Sequence, residues 1–204
     1  MRLFFRNVTL TSAVWLIARW LVAYEFLTAG SEKLFGAGSA VWVGPKAGTA
    51  VAGFLQGALK LATGAHPAVA QWYASLISSV FLPNAVVFSY LVSFGEFLVG
   101  IALFLGIFTR FSALMGLVMA MSYFYAGTVS TNPYVLPLLF SIILLGVYAG
   151  HFGVDGLVLA KRLPFFASPA ENEPARGAAK VWETIIPFMV IFWIILMLVV
   201  LIAH

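Results

Sequence analysis

The stretch Asn84–Phe108, NAVVFSYLVSFGEFLVGIALFLGIF, carries a single charge, Glu96. A helix of about 20 predominantly apolar residues crosses the hydrocarbon core of a bilayer, so this stretch reads as a membrane span. The rest of the chain agrees with it. Of its 204 residues, 63% are hydrophobic, 16% aromatic and 9% charged, and the mean hydropathy is +1.05. Soluble domains hold about 45–50% apolar residues, so the composition excludes a soluble globular protein. Outward from Asn84–Phe108, apolar run length marks four more spans: Leu10–Gly30, Phe111–Ala126, Tyr134–Gly150 and Thr184–Ala203. The expected architecture is an all-α integral membrane protein. Residues 1–163 form a four-helix transmembrane bundle, 164–183 an inner linker, and 184–204 a C-terminal fifth transmembrane helix.

The N-terminal run has Arg2 and Arg6 ahead of it, like a signal peptide, but Arg19 and Glu25 fall where an uncharged core would be. It reads as a retained span. Lys and Arg counts set the orientation. With the N-terminus inside, Arg2, Arg6, Arg110, Lys161, Arg162, Arg176 and Lys180 face the cytoplasm, and Lys33, Lys46 and Lys60 face outward. That predicts a multi-pass protein of the inner membrane, N-terminus inside and C-terminus outside. Thr109-Arg110 leaves room only for a tight hairpin between the second and third spans. Gly146 and Gly150 form a small-xxx-small pair that permits close helix approach. Between the first two spans, Ser31–Pro83 has few charges, and Val51–Ala62 and Pro67–Phe81 read as short helices. Backbone of this kind is expected to be interfacial or re-entrant.

Charges inside apolar runs point to function, since each costs about 2.5–3.5 kcal/mol at the bilayer centre. Arg19 and Glu96 lie near the middles of their spans, and an Arg19–Glu96 pair is the least costly arrangement for both. A buried pair of this kind can serve helix register alone or line an anion or proton site. Glu25 has no evident partner within its span and would suit proton exchange. Arg110 and Asp155 sit at span ends, where snorkelling or interfacial pairing is the simplest role. Cysteine is absent, which removes disulfides, thiolate ligands and redox relays. His66 and His151 fall on opposite sides of the predicted topology, so no metal site is expected. No phosphate loop, Ser-His-Asp set or nucleic-acid patch is present.

Three stretches together resemble the DoxX/DoxD family of small membrane proteins: Arg19 followed by AGSEKLF (29–35), GEFLVGIALFLGIFTR (95–110), and GHFGVD (150–155). Segments Gly48–Gln56 and Phe81–Asn84 are more similar to DoxD than to the shortest DoxX proteins. The resemblance implies a four-helix core and, for DoxD, the membrane subunit of thiosulfate:quinone oxidoreductase. That enzyme couples two thiosulfates into tetrathionate, passes two electrons to a membrane quinone and works with a second subunit. On this expectation Arg19, Lys33 and Arg110 bind the sulfur anion, and Arg19, Glu25 and Glu96 take part in the chemistry. Trp20, Tyr24, Trp72 and Tyr73 frame the quinone. The alternatives are a non-catalytic membrane subunit of a redox complex and a transporter of small anions or sulfur species. The lipid bilayer is the partner common to all three.

Overall fold

The computed structural model describes residues 8–161. The predicted linker, the fifth span Thr184–Ala203, and the charges Arg2, Arg6, Arg162, Arg176 and Lys180 used for orientation lie outside the described residues. All regular structure within the described residues is helical. Helix α1 is Val8–Phe35, α2 Thr49–Lys60, α3 Gln71–Leu76, α4 Ala85–Leu105, α5 Thr109–Tyr125, α6 Asn132–Leu144, α7 Gly146–Gly150 and α8 Val154–Leu157. Helices α1 and α4 are long and apolar enough to cross a membrane, with 28 and 21 residues. At 1.5 Å per residue they run about 42 Å and about 32 Å, against a hydrocarbon core of about 30 Å.

The patterning of α1 and α4 inverts that of a soluble helix. On α1, Leu10, Val14, Ile17, Leu21 and Tyr24 are all exposed, and their spacing puts them on one stripe about 80° wide. Ser12 and Arg19, fully buried, project from the opposite side. On α4, Val87, Leu91, Phe94 and Leu98 form a similar exposed apolar stripe. Apolar outward and polar inward is the pattern a lipid solvent selects.

Three sequence boundaries move. The turn between the second and third spans is Gly106–Phe108, not Thr109-Arg110: α4 ends at Leu105 and α5 begins at Thr109. Gly106 and Phe108 take φ of 68° and 45° there, and glycine adopts the first without steric cost. The fourth span is divided, α6 giving way to α7 at Leu145, where φ is −103° and ψ 25°. Gly146 just beyond the break lies against the Arg110 side chain. Residues 67–81 form α3 and then a single wide turn, Ile77–Phe81, in which Leu82 N–H donates to Ile77 C=O at 2.8 Å.

The chain divides into two compact units: Met1–Ala23, Ala102–Leu117 and Pro133–His204 in one, Tyr24–Ile101 and Val118–Asn132 in the other. The first buries Trp15, Val22, Leu103, Leu139, Ile142 and Ala149. In the second, Val51, Leu55, Ala58, Val69, Tyr73, Ala74, Ile77 and Ala126 make a continuous core. That core is the inter-span segment packing its apolar faces, as the α2 and α3 patterning requires. In the same unit α1 and α4 approach closely through glycines. A Cβ on Gly30 would stand 2.5 Å from Phe97 N, and one on Gly100 2.7 Å from Leu27 N.

Candidate functional site

Glu96 is 4% exposed on α4. Its cation is Lys33, not Arg19 as the shared mid-span position suggested: Lys33 Nζ lies 2.6 Å from Glu96 Oε2. Tyr123 on α5 donates its hydroxyl to Glu96 Oε1 at 2.7 Å, so each carboxylate oxygen has a partner. Lys33 Nζ also donates to Ala29 C=O at 3.3 Å and stands 4.9 Å from the centre of the Trp42 ring. Trp42 is held in turn, its carbonyl accepting from Ser89 Oγ at 2.6 Å. Mid-span position could not predict this choice. Lys33 belongs to the last turns of a helix that continues to Phe35, five residues past the predicted end of the first span, which brings its Nζ to Glu96. Low local dielectric makes such a fully satisfied network strong.

The other unit holds Arg19, 1% exposed on α1. Its Nη1 rests against Gly106 and Gly153, where a Cβ on either glycine would collide with it. Asp155 supplies the opposing charge that acts on it, without forming a contact pair. The Asp155 carboxylate is engaged elsewhere. Its Oδ1 accepts from Phe108 N–H at 2.7 Å and its Oδ2 from Thr109 N–H at 2.7 Å. Asp155 N–H completes the clasp on Gly106 C=O at 2.9 Å. Asp155 is therefore the N-terminal cap of α5, supplied from a distant segment, rather than an interfacial partner. A carboxylate at a helix N-terminus satisfies orphan N–H groups and meets the positive end of the dipole.

Arg19 Nε and Nη1 have no hydrogen-bond partner, and neither does Thr109 Oγ1. Leaving a buried polar atom unpaired costs about 1–3 kcal/mol, more when it is charged. Arg110 lines a cavity of about 70 Å³ with Phe108, Phe111, Gly146, Val147, Gly150 and Asp155. Gly146 and Gly150 thus admit side chains of α5: Arg110 lies over the first, and Thr109 Oγ1 is 3.1 Å from where a Cβ of the second would be.

The expected ring frame divides. Trp72 and Tyr73 meet edge to face with centroids 5.3 Å apart, and Tyr125 joins both. Tyr73 hydroxyl donates to Ser122 C=O at 2.8 Å. Trp20 stacks instead on Phe104 and donates to its carbonyl at 3.1 Å. Tyr24 is 64% exposed. Glu25 is half-buried rather than enclosed and is not without a partner. Lys33 is committed to Glu96, while Arg110 shares a cavity lining with Asp155 and Arg19 feels the Asp155 charge. The sequence reading missed Tyr123, Trp42 and also Trp15, whose buried indole N–H has no hydrogen-bond partner. The first two are aromatic residues with a polar or cationic contact, whose only signal was their place in an otherwise apolar chain.

No curated protein and no solved structure matches the chain. The family model for DoxX matches residues 14–127, a range that holds Arg19, Lys33, Glu96, Arg110 and Tyr123 but ends before Asp155. More than half of the chain is covered, and the outward apolar stripes of α1 and α4 agree with it: this is a membrane protein of the DoxX family.

Proposed function

We propose that the protein is a membrane oxidoreductase that binds thiosulfate at Arg19 and passes its electrons to membrane quinone. The observation that carries the reading is the buried Arg19 guanidinium, whose Nε and Nη1 have no protein partner. A guanidinium with donors to spare suits the charged oxygens of a sulfonate-type group. The neighbouring carboxylate of Asp155 does not fill that role, because its oxygens accept from Phe108 and Thr109. In the reaction, two thiosulfate dianions join through a new S–S bond between their outer sulfurs and release two electrons as tetrathionate forms. Quinone takes those electrons and two protons to become quinol. Glu25 and Glu96 are the carboxyl groups in the apolar spans proposed to carry protons. The Trp72–Tyr73–Tyr125 cluster is the aromatic surface proposed to meet the quinone ring, which needs apolar walls with few polar ends.

The test is thiosulfate-dependent reduction of a short-chain quinone by the full chain in lipid nanodiscs. Wild type is expected to turn over and Arg19→Ala to lose activity. Arg19→Lys should keep little, because an ammonium cannot reproduce the planar fork. Full activity in Arg19→Ala refutes the anion role. Thiosulfate uptake into proteoliposomes without quinone reduction would reassign the protein to transport. Copurification with a dehydrogenase and no activity alone would make it a non-catalytic subunit.

A further inference from the structure

The unpartnered polar atoms of the first unit do not stop at Arg19. Ser12 Oγ and Trp15 Nε1 are also buried without a hydrogen-bond partner, in residues 0% and 8% exposed. All three residues lie on α1. Their spacing places them within about 60° of one another and spreads them over about 10 Å of the helix axis. This is the face opposite the exposed apolar stripe. A single orphaned group is a packing defect of ordinary size, since each costs about 1–3 kcal/mol. Three in succession on one helix face are a pattern.

The chemistry of the pattern selects its ligand. Arg Nε and Nη1 and Trp Nε1 donate and never accept, and a serine hydroxyl can do either. With Ser12 Oγ the one acceptor among these side chains, they cannot all satisfy one another along the face. A water accepting from them must hand on its own protons, and the side chains of this line offer it one acceptor, the Ser12 hydroxyl. A ligand with negative charge and several acceptor oxygens satisfies every member.

We propose that Ser12, Trp15 and Arg19 form one oxyanion groove along α1, in which the Trp15 indole N–H and the Ser12 hydroxyl bind oxygens of the anion that Arg19 attracts. The ligand class is a tetrahedral sulfur oxyanion. This groove rests on the reading of Arg19 as an anion site and adds Trp15 as its selective contact, because an indole N–H gives direction without charge.

The experiment uses the full chain with ¹⁵N-labelled indoles in nanodiscs, titrated with thiosulfate, sulfate and chloride. The chain has 6 tryptophans, and Trp15→Phe assigns the Trp15 resonance while keeping a ring in its place. Thiosulfate is expected to move the Trp15 N–H signal saturably. Trp15→Phe and Ser12→Ala should each weaken thiosulfate about ten-fold, the effect of roughly 1.4 kcal/mol, and Arg19→Gln should abolish binding. An equal response to sulfate supports a groove for tetrahedral oxyanions, whereas an equal response to chloride overturns it. Wild-type thiosulfate affinity in Trp15→Phe and Ser12→Ala, with an unmoved Trp15 signal, overturns the groove and leaves the Arg19 site standing. No thiosulfate binding by wild type overturns both.

Discussion

Replacing Asp155 by Asn should unfold the protein at markedly lower temperature although the two side chains have the same shape. Asp155 accepts two N–H groups at 2.7 Å each, from Phe108 and Thr109, at the N-terminus of α5. Asn keeps one acceptor oxygen and turns an NH₂ toward the second N–H, so one donor is lost into a donor–donor clash. A hydrogen bond to a charged group contributes about 1.5–3 kcal/mol, and charge at a helix N-terminus about 0.3–2 kcal/mol. The sum for Asp155→Asn, counting one lost bond, is about 2–5 kcal/mol. At about 2–4 °C per kcal/mol for a chain of this size, the midpoint should fall by roughly 4–20 °C. The assay is thermal unfolding in detergent followed by circular dichroism, with Glu32→Gln as control. Glu32 is exposed, so that change should stay within about 0.5 kcal/mol. An Asp155→Asn midpoint indistinguishable from that of the control refutes the cap.

The Lys33–Glu96 pair gives a prediction of the opposite kind. Glu96→Gln leaves Lys33 without its anion and should cost about 3–5 kcal/mol, whereas Lys33→Met with Glu96→Gln should recover part of that loss. A double-mutant cycle by chemical unfolding checks it, and additive losses would refute a coupled pair. Gly106→Ala forces a Cβ against Arg19 Nη1 at a residue with φ of 68°; the backbone term alone should cost about 1–3 kcal/mol. The displaced guanidinium should also cost thiosulfate binding, measured by calorimetry. Gly30→Ala puts a methyl 2.5 Å from Phe97 N and should destabilise by about 1–3 kcal/mol through overpacking, read from the same unfolding assay.

The elements were legible because a lipid solvent imposes simple patterns. Run length located α1, α4 and α5, and the Gly-rich inter-span segment announced its short helices. What run length could not show is where a helix stops inside an apolar stretch. The turn at Gly106–Phe108 is as hydrophobic as the helices around it, and only backbone geometry, with φ of 68° and 45°, marks it. The break at Leu145 is invisible for the same reason. The charged residues were legible as candidates because their desolvation cost makes them rare. Their pairing was not, because it depends on how far α1 continues. Predicted to end at Gly30, α1 offers Glu96 no lysine; running to Phe35, it delivers Lys33. The resemblance drew attention to Asp155 through the stretch GHFGVD, yet its cap role needed the α4–α5 turn to be placed first.

The two polar clusters differ in one physical respect, and that respect sorts their roles. Around Glu96 both carboxylate oxygens have partners, and the lysine has a carbonyl and a ring besides. A closed network of that kind gains nothing from a ligand, since any anion must first displace Glu96 from Lys33 and leave a buried carboxylate exposed to its own desolvation cost. Such a network suits fixing helix register and holding a carboxyl group for protons, not binding an anion. Around Arg19 the account is open: a buried cation, a tryptophan N–H and two hydroxyls have no partner. Asp155, the nearby carboxylate, is engaged by the α5 N-terminus. Binding an oxyanion there removes penalties the fold already carries, so the free energy of satisfying those donors becomes available to hold the ligand. Buried charge by itself therefore does not mark the site in this chain. Glu96 and Arg19 are almost equally buried, at 4% and 1% exposed, and it is the unsatisfied one that an anion should visit.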